Sequence, residues 1–244
     1  MNESSEVRAE YLSHIEIQSR ISESSIVYIP LGALEFHGPH LPTGLDGLTA
    51  HGICTRAAGI SGGVVLPTIF QGTGGEHSDY PWTLMMPEGQ AIASNLHETL
   101  NRLEELGVRT TIVLSGHFAD EQRELLRQVA LSWAQDRSKS MRVTTRSIAE
   151  NSEATVAPDH AGVFESLLLA AMHPDLVHVE KLPDLDEHPS IDADGNPFGP
   201  QRHQDSHALW GVFGPDPRSI DFDLGPVLLE SMVLWLANLA KDRE

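Results

Sequence analysis

A single cysteine, Cys54, among 244 residues leaves no intramolecular disulfide to form, which fits a reducing compartment. Cations are scarce too: 16 Lys and Arg stand against 35 Asp and Glu, for a formal net charge of -19. Binding to a phosphate backbone runs on clustered Lys and Arg, so no nucleic-acid partner is expected. The opening MNESSEVRAE lacks the basic stretch and apolar run of a secretory leader, and a cytoplasmic location is expected. Long apolar runs are missing as well. A stretch such as 227–237 is too short and interrupted to cross a bilayer, so no membrane partner is expected. What remains is the composition of a globular chain, 40% hydrophobic and 21% charged, long enough to bury a sizeable core.

The apolar pattern alternates between strand and helix. Residues 25–31, SIVYIPL, are apolar on consecutive positions, as in a strand buried on both faces. A Gly- and Pro-bearing loop follows to residue 46, then a helix over 48–58 and a strand over 63–67. Residues 71–81 read as a polar, glycine-bearing loop. Ile92, Leu96, Leu100 and Leu103 repeat at helical spacing over 91–106, with Gly107 as the stop. A strand at 110–114, a helix at 121–133, a strand at 141–147 and a helix at 163–172 come next. Residues 181–223 are rich in Pro, Asp and His without a period, an irregular excursion suited to a lid or a subunit contact. A helix at 227–239 closes the chain. No second domain boundary is visible, so residues 1–244 are expected to form a single α/β domain around one largely parallel sheet covered on both faces. Such sheets place their sites at the carboxyl ends of the strands, where the loops at 32–46, 71–81 and 115–120 emerge.

Residues with ligand chemistry gather at that predicted edge. Glu35 and His37 follow the first strand directly, Asp46 comes nine residues later, and His117 ends the strand at 110–114 in a Ser-Gly-His turn. Imidazole and carboxylate are ligands of divalent ions such as Zn²⁺, Mn²⁺ and Fe²⁺. Each residue also has a plainer role. Asp46 stands where a helix-capping carboxylate would, and a histidine at a strand end is often only a satisfied polar group. Together they suit a pair of ions bridged by one aspartate, an arrangement that activates water and polarises a carbonyl oxygen.

Five segments in order also resemble those of the creatininase (creatinine amidohydrolase) family. LGALEFHGPHLPTGLD looks like its signature loop, and SGHFADEQ is similar to its Asn-Gly-His segment. GGEHSDYPWTL resembles a loop of the Glu-His-x-x-Phe-Pro-Gly-Thr kind, HAGVFESLLLAAMHPDLV its His-Ala-Gly-x-x-Glu-Thr-Ser helix, and WGVFGPDP its Gly-Val-x-Gly-Asp-Pro stretch. The resemblance implies a single three-layer α/β/α domain with a mostly parallel central sheet, often assembled as a hexamer. It implies two ions per subunit: Glu35 and His37 bind different ions, Asp46 bridges them, His117 shares the ion of Glu35, and His160 shuttles the proton. The expected activity is metal-dependent hydrolysis of a C–N amide bond in a small molecule, of the cyclic amide or formamide type.

Departures from the family pattern qualify this. Creatininase has a metal-binding glutamate two residues after the Asn-Gly-His histidine, where this chain has Ala119. Glu165 stands ready as the replacement ligand, with a dipole-favoured charge at a helix N-terminus as its plainer role and Asp120 as a weaker candidate. Ser115 replaces asparagine, which is expected to loosen the His117 turn, and Trp82 replaces glycine, which is expected to alter the pocket floor. Neither of creatininase's substrate-covering tryptophans is present: one would fall at Val156, the other near 147–149, so creatinine itself is not the expected substrate. Glu76 and His77 are candidates to line the pocket, His40 to support it, and His203 and His207 read as solvated. Two further readings stay open. Ala119 and Ser115, in place of the family's glutamate and asparagine, suit a binding or scaffold protein that kept the fold without the reaction, and the same ligands also suit hydrolysis of an ester or lactone.

Overall fold

The unbroken apolar run after residue 25 forms the middle strand of a parallel sheet in the computed structural model, which describes residues 6–241. The leader reading therefore falls partly on residues 1–5, outside the described residues. Seven strands are described: β1 (Ile26–Gly32), β2 (Val64–Val65), β3 (Ile69–Phe70), β4 (Gly72–Thr73), β5 (Met85–Met86), β6 (Thr110–Ser115) and β7 (Arg142–Ser147). Six α-helices accompany them: α1 (His14–Glu23), α2 (Leu45–Ser61), α3 (Gln90–Glu105), α4 (Asp120–Gln135), α5 (Val163–Ala170) and α6 (Gly225–Lys241).

The main sheet runs β2-β1-β6-β7, with β3 also on the free side of β1, and every pairing is parallel. Every residue of β1 is buried, as the unalternating pattern requires. Pro30 sits in this central strand although it has no N–H to give a neighbour. The neighbour is interrupted there: Leu66 N–H donates to Tyr28 O, and pairing resumes only at Leu31 with Ile69. Short β4 lies within the region expected to be loop and pairs with β5 just beyond it, a two-residue ladder too brief to leave a periodic signal.

Side chains alternate across the sheet into two cores. Tyr28, Ile112 and Leu114 face Ile53 and Cys54 of α2, Phe164 and Leu167 of α5, and Leu228, Met232 and Leu236 of α6. Val27, Ile29, Leu31 and Val113 face Ile92, Leu96 and Leu100 of α3 and Leu126 and Val129 of α4. The result is helix, sheet, helix in three layers. The closing helical stretch Phe222–Lys241 is 20 residues long, longer than the apolar pattern suggested, and long and apolar enough to cross a membrane. Its face at Leu228, Met232, Val233, Leu236 and Ala237 is buried in the first core, which is the packing of a core helix.

The order of strands matters for function. The chain leaves β1 toward β2 on one side, and β6 pairs with β1 on the other. Connections diverge at this point, and open α/β sheets place their sites beyond the carboxyl ends of the strands where they do, here β1 and β6.

Candidate metal centre

Glu35 and His37 rise from the end of β1, His117 from the end of β6, and Asp46 from the first turn of α2. Close backbone approach brings these ends together. A Cβ on Gly32 would strike the backbone at Asp46 and Gly47, and one on Gly116 would strike the carbonyl of Asp46. The two strand ends thus press on one residue from adjacent positions in the sheet. Asp46 does not cap its helix. The N-cap is Gly44, without a side-chain hydrogen bond, and Asp46 Oδ2 instead accepts the Ala33 N–H at 3.1 Å. From α5 comes Glu165, whose Oε2 accepts the Ala161 N–H at 2.6 Å.

These five side chains converge, with Glu35, His37, Asp46 and Glu165 each at 1% exposure and His117 at 5%. His37 Nε2 lies 3.3 Å from Asp46 Oδ1 and 3.4 Å from Glu165 Oε2. His117 Nδ1 lies 2.9 Å from Glu35 Oε2 and 3.6 Å from Asp46 Oδ2. Two triads therefore form, Glu35–Asp46–His117 and His37–Asp46–Glu165, each compact enough to share one ion. They meet at Asp46, which turns one oxygen to each. A third grouping, Glu35, His37 and His160, draws on two of the same residues.

Backbone carbonyls set the tautomers. His37 Nδ1 is 3.0 Å from Glu35 O, His117 Nε2 is 3.2 Å from Thr73 O, and His160 Nε2 is 3.0 Å from Phe36 O. A carbonyl only accepts, so each of these nitrogens carries the proton, and the other nitrogen of each neutral ring turns a lone pair toward the carboxylates. Of the buried side-chain atoms without a hydrogen-bond partner, two belong to this centre, His37 Nε2 and Glu35 Oε2. Lone pairs facing carboxylate oxygens in a buried site require a proton or a cation between them. The residues fit a divalent ion in each triad.

The electrostatics report the same requirement. Burial opposes a charged His37, yet Glu165 and Asp46 outweigh it and raise the imidazole to about 10. Burial likewise opposes charge on His117, and Glu35 lifts it to about 9. Burial drives Glu165 well above the carboxylate range despite His37. Burial also pushes Glu35 upward, but the charge of His117 and the hydrogen bonds from His117 and His77 prevail and hold it well below that range. His160 goes the other way: burial, helped by His37 and His77, depresses it well below the usual imidazole value, so it stands neutral with Nδ1 open to a proton, 3.9 Å from Glu35 Oε1.

Several expectations are revised by the geometry. Asp120 is no ligand candidate: it is exposed and paired with Arg123 at 3.2 Å. Ser115 tightens the turn rather than loosening it, because its hydroxyl donates to His117 O at 2.6 Å. Trp82 makes no pocket floor. It is 83% exposed, and its φ of 57° shows why glycine suits that position. Glu76 and His77 part company: Glu76 is exposed, whereas His77 Nδ1 hydrogen-bonds Glu35 Oε1. His40 is fully buried and its Nε2 donates to Ala161 O at 3.0 Å, bracing the turn after His160. His203, read as solvated, is indeed exposed but lies against Phe213 with ring centroids 4.5 Å apart. No local pattern distinguishes it from its neighbours in 181–223. Its one sequence signal is proximity to the WGVFGPDP stretch, whose Phe213 pairs backbone-to-backbone with His160.

The sequence model of the creatininase family, described as creatinine amidohydrolase, matches residues 10–240. The chain belongs to the creatininase family. A creatinine amidohydrolase of Pseudomonas putida is 27% identical over 194 residues, covering 69% of this chain and 73% of that protein. A crystal structure of creatinine amidohydrolase (creatininase) superposes with a TM-score of 0.79 at 23% identity, over 97% of both chains. Two other creatininase structures, one described as the manganese form and one a mutant of the Zn-Zn type, superpose at TM-scores of 0.77 and 0.78, both at 21% identity. They cover 96% and 98% of this chain and 97% and 98% of their own. The fold is thus that of creatininases, a family of amidohydrolases.

Proposed function

We propose that this creatininase-family chain hydrolyses a C–N amide bond in a small molecule, with two divalent ions held by Glu35, Asp46 and His117 and by His37, Asp46 and Glu165. The observation that carries the reading is the pair of triads sharing Asp46, with the unpartnered His37 Nε2 between two carboxylates. Zinc, manganese and iron all suit such mixed nitrogen and oxygen donors. Bound there, paired ions acidify water and polarise a carbonyl oxygen.

The chain's own residues supply the rest. Glu165 takes the part that the glutamate missing at Ala119 plays in creatininase, because its Oε2 already stands 3.4 Å from His37 Nε2. His77 holds Glu35 Oε1 and so keeps Oε2 turned to His117. His160 is the proton carrier. Its Nε2–H is tied to Phe36 O, so its free Nδ1 takes the proton released as water attacks and returns it to the departing nitrogen. Val156 packs into the core where creatininase has a covering tryptophan, which directs the substrate away from creatinine toward another cyclic amide or a formamide.

The test is metal analysis of protein purified without chelator, followed by a hydrolysis panel of lactams, formamides, lactones and esters before and after chelation. Metal near two equivalents and chelator-sensitive amide cleavage are expected. Less than about one equivalent would count against the centre, since such donor sets bind tightly. Cleavage confined to lactones or esters would refute the amide assignment.

A further inference from the structure

Exposure rises from the candidate centre to the residues at its margin. The side chains of Glu35 and His37 are buried, while those of His77 and His160 keep 13% and 14% of their surface. Phe213 stacks on His77 with ring planes 14° apart, 5.2 Å between centroids. His203 packs on Phe213 from outside, 6.4 Å from His77. These rings frame a mouth leading to Glu35 and His160.

His203 is held rigidly there. The Tyr80 hydroxyl hydrogen-bonds its Nδ1 at 2.9 Å, joining residues 123 apart in sequence. The preceding residue, Arg202, is buried and grips Asp192 through two bonds of 2.7 and 2.8 Å and Val212 O through a third of 2.8 Å. That bidentate pairing anchors the excursion and fixes the backbone that carries His203. Tyr80 stands where the Glu-His-x-x-Phe-Pro-Gly-Thr pattern has phenylalanine, so its hydroxyl is an addition to that pattern. The Tyr80 ring is in turn clamped against Phe36 and Trp210, at 5.2 and 5.4 Å.

We propose that Tyr80 and His203 form a specificity pair at the mouth, contacting the part of the substrate beyond the scissile bond and favouring a flat group without negative charge. The inference rests on the two-ion reading of the centre. With the Tyr80 hydroxyl donating to Nδ1, His203 keeps its Nε2–H as a donor for a carbonyl or ring nitrogen. Phe213 and His77 supply a flat wall on which a planar group stacks. Arg202, next in sequence, is committed to Asp192 and Val212 and offers nothing to an anion. Bound ions neutralise the three carboxylates of the centre, but the chain as a whole stays strongly acidic, with a formal net charge of -19, and disfavours a further negative charge on the ligand.

Three probes test this on the full-length protein loaded with Co²⁺, whose visible spectrum reports ligand binding without any turnover: acetohydroxamate, benzohydroxamate and 4-carboxybenzohydroxamate. The wild type is expected to bind benzohydroxamate about tenfold tighter than acetohydroxamate, from ring contacts of the size aromatic pairs provide. The carboxylated probe is expected to lose that advantage. In His203→Ala the advantage should fall below about threefold, with acetohydroxamate affinity unchanged, which also shows that the centre is folded. His203→Gln, which keeps an N–H donor, should recover part of it, and Tyr80→Phe should lie between wild type and His203→Ala. An unchanged preference in His203→Ala, or equal binding of the carboxylated probe, overturns the proposal alone. If acetohydroxamate leaves the cobalt spectrum of the wild type unaltered, the reading of the metal centre fails and the specificity pair falls with it.

Discussion

Replacing Glu165 by glutamine separates the charge of this side chain from its shape. The amide oxygen can still accept the Ala161 N–H that Oε2 accepts at 2.6 Å, so the turn after His160 keeps its support. Burial already drives Glu165 well above the usual carboxylate range when no cation is bound, so a neutral side chain fits the cation-free protein. Its stability should therefore change by only about 1 kcal/mol, the scale of one altered hydrogen bond. The metal-loaded protein should respond much more. An ion present at about a thousandfold excess over its Kd adds about 4 kcal/mol of stability. For a chain of this length 1 kcal/mol moves Tm by about 2–4 °C, so loss of one ion removes roughly 8–16 °C from the rise that metal produces. Scanning calorimetry of chelator-treated and zinc-reloaded protein measures that rise, and metal analysis counts the ions. The variant should hold one equivalent where the parent holds two. A variant that keeps both ions and the full rise would refute the ligand role, and a cation-free variant melting more than about 10 °C below the parent would show that Glu165 is structural instead.

Asp46→Asn should lose both ions, in contrast to Glu165→Gln, because Asp46 belongs to both triads; retention of one tightly held equivalent would show that it serves a single site. His160→Ala should keep its metal while turnover of any amide found in the panel falls about 10²- to 10⁴-fold, the usual contribution of a positioned acid–base group. An unaffected rate would remove His160 from the reaction. His40 is held down to about 4 by burial, below the ordinary value of 6.5. As pH falls from about 6.5 toward 4 the unfolded chain gains a proton there and the folded chain does not, so this group withdraws stability across that window, about 3 kcal/mol at its lower end. Urea titrations at stepped pH should show a shallower acid loss in His40→Gln, and parallel curves would contradict the assignment. Asp159, which burial raises to about 6, acts in the opposite sense, which is why the comparison is made between parent and variant.

Much of this protein was legible before folding, because its signals are local. Consecutive apolar residues in β1 and β6 require burial on both faces, Ile92 to Leu103 repeat at the pitch of a helix, and Glu35, His37 and His117 follow strand ends, where parallel sheets concentrate their sites. The ligand types and their order along the chain also carry the family resemblance. Tertiary packing alone decided the rest. Glu165 and Asp120 are both acids in the first turn of a helix, and only the docking of α5 sends Glu165 into the centre while Asp120 stays in solvent. Ser115 stiffens its turn through a contact that the family's asparagine did not foreshadow. His77 and His203 sit among polar neighbours in irregular segments, and their partners Glu35 and Tyr80 lie 42 and 123 residues away. Periodicity records which face of an element avoids water; it holds no record of which side chains from separate elements meet once those faces are buried.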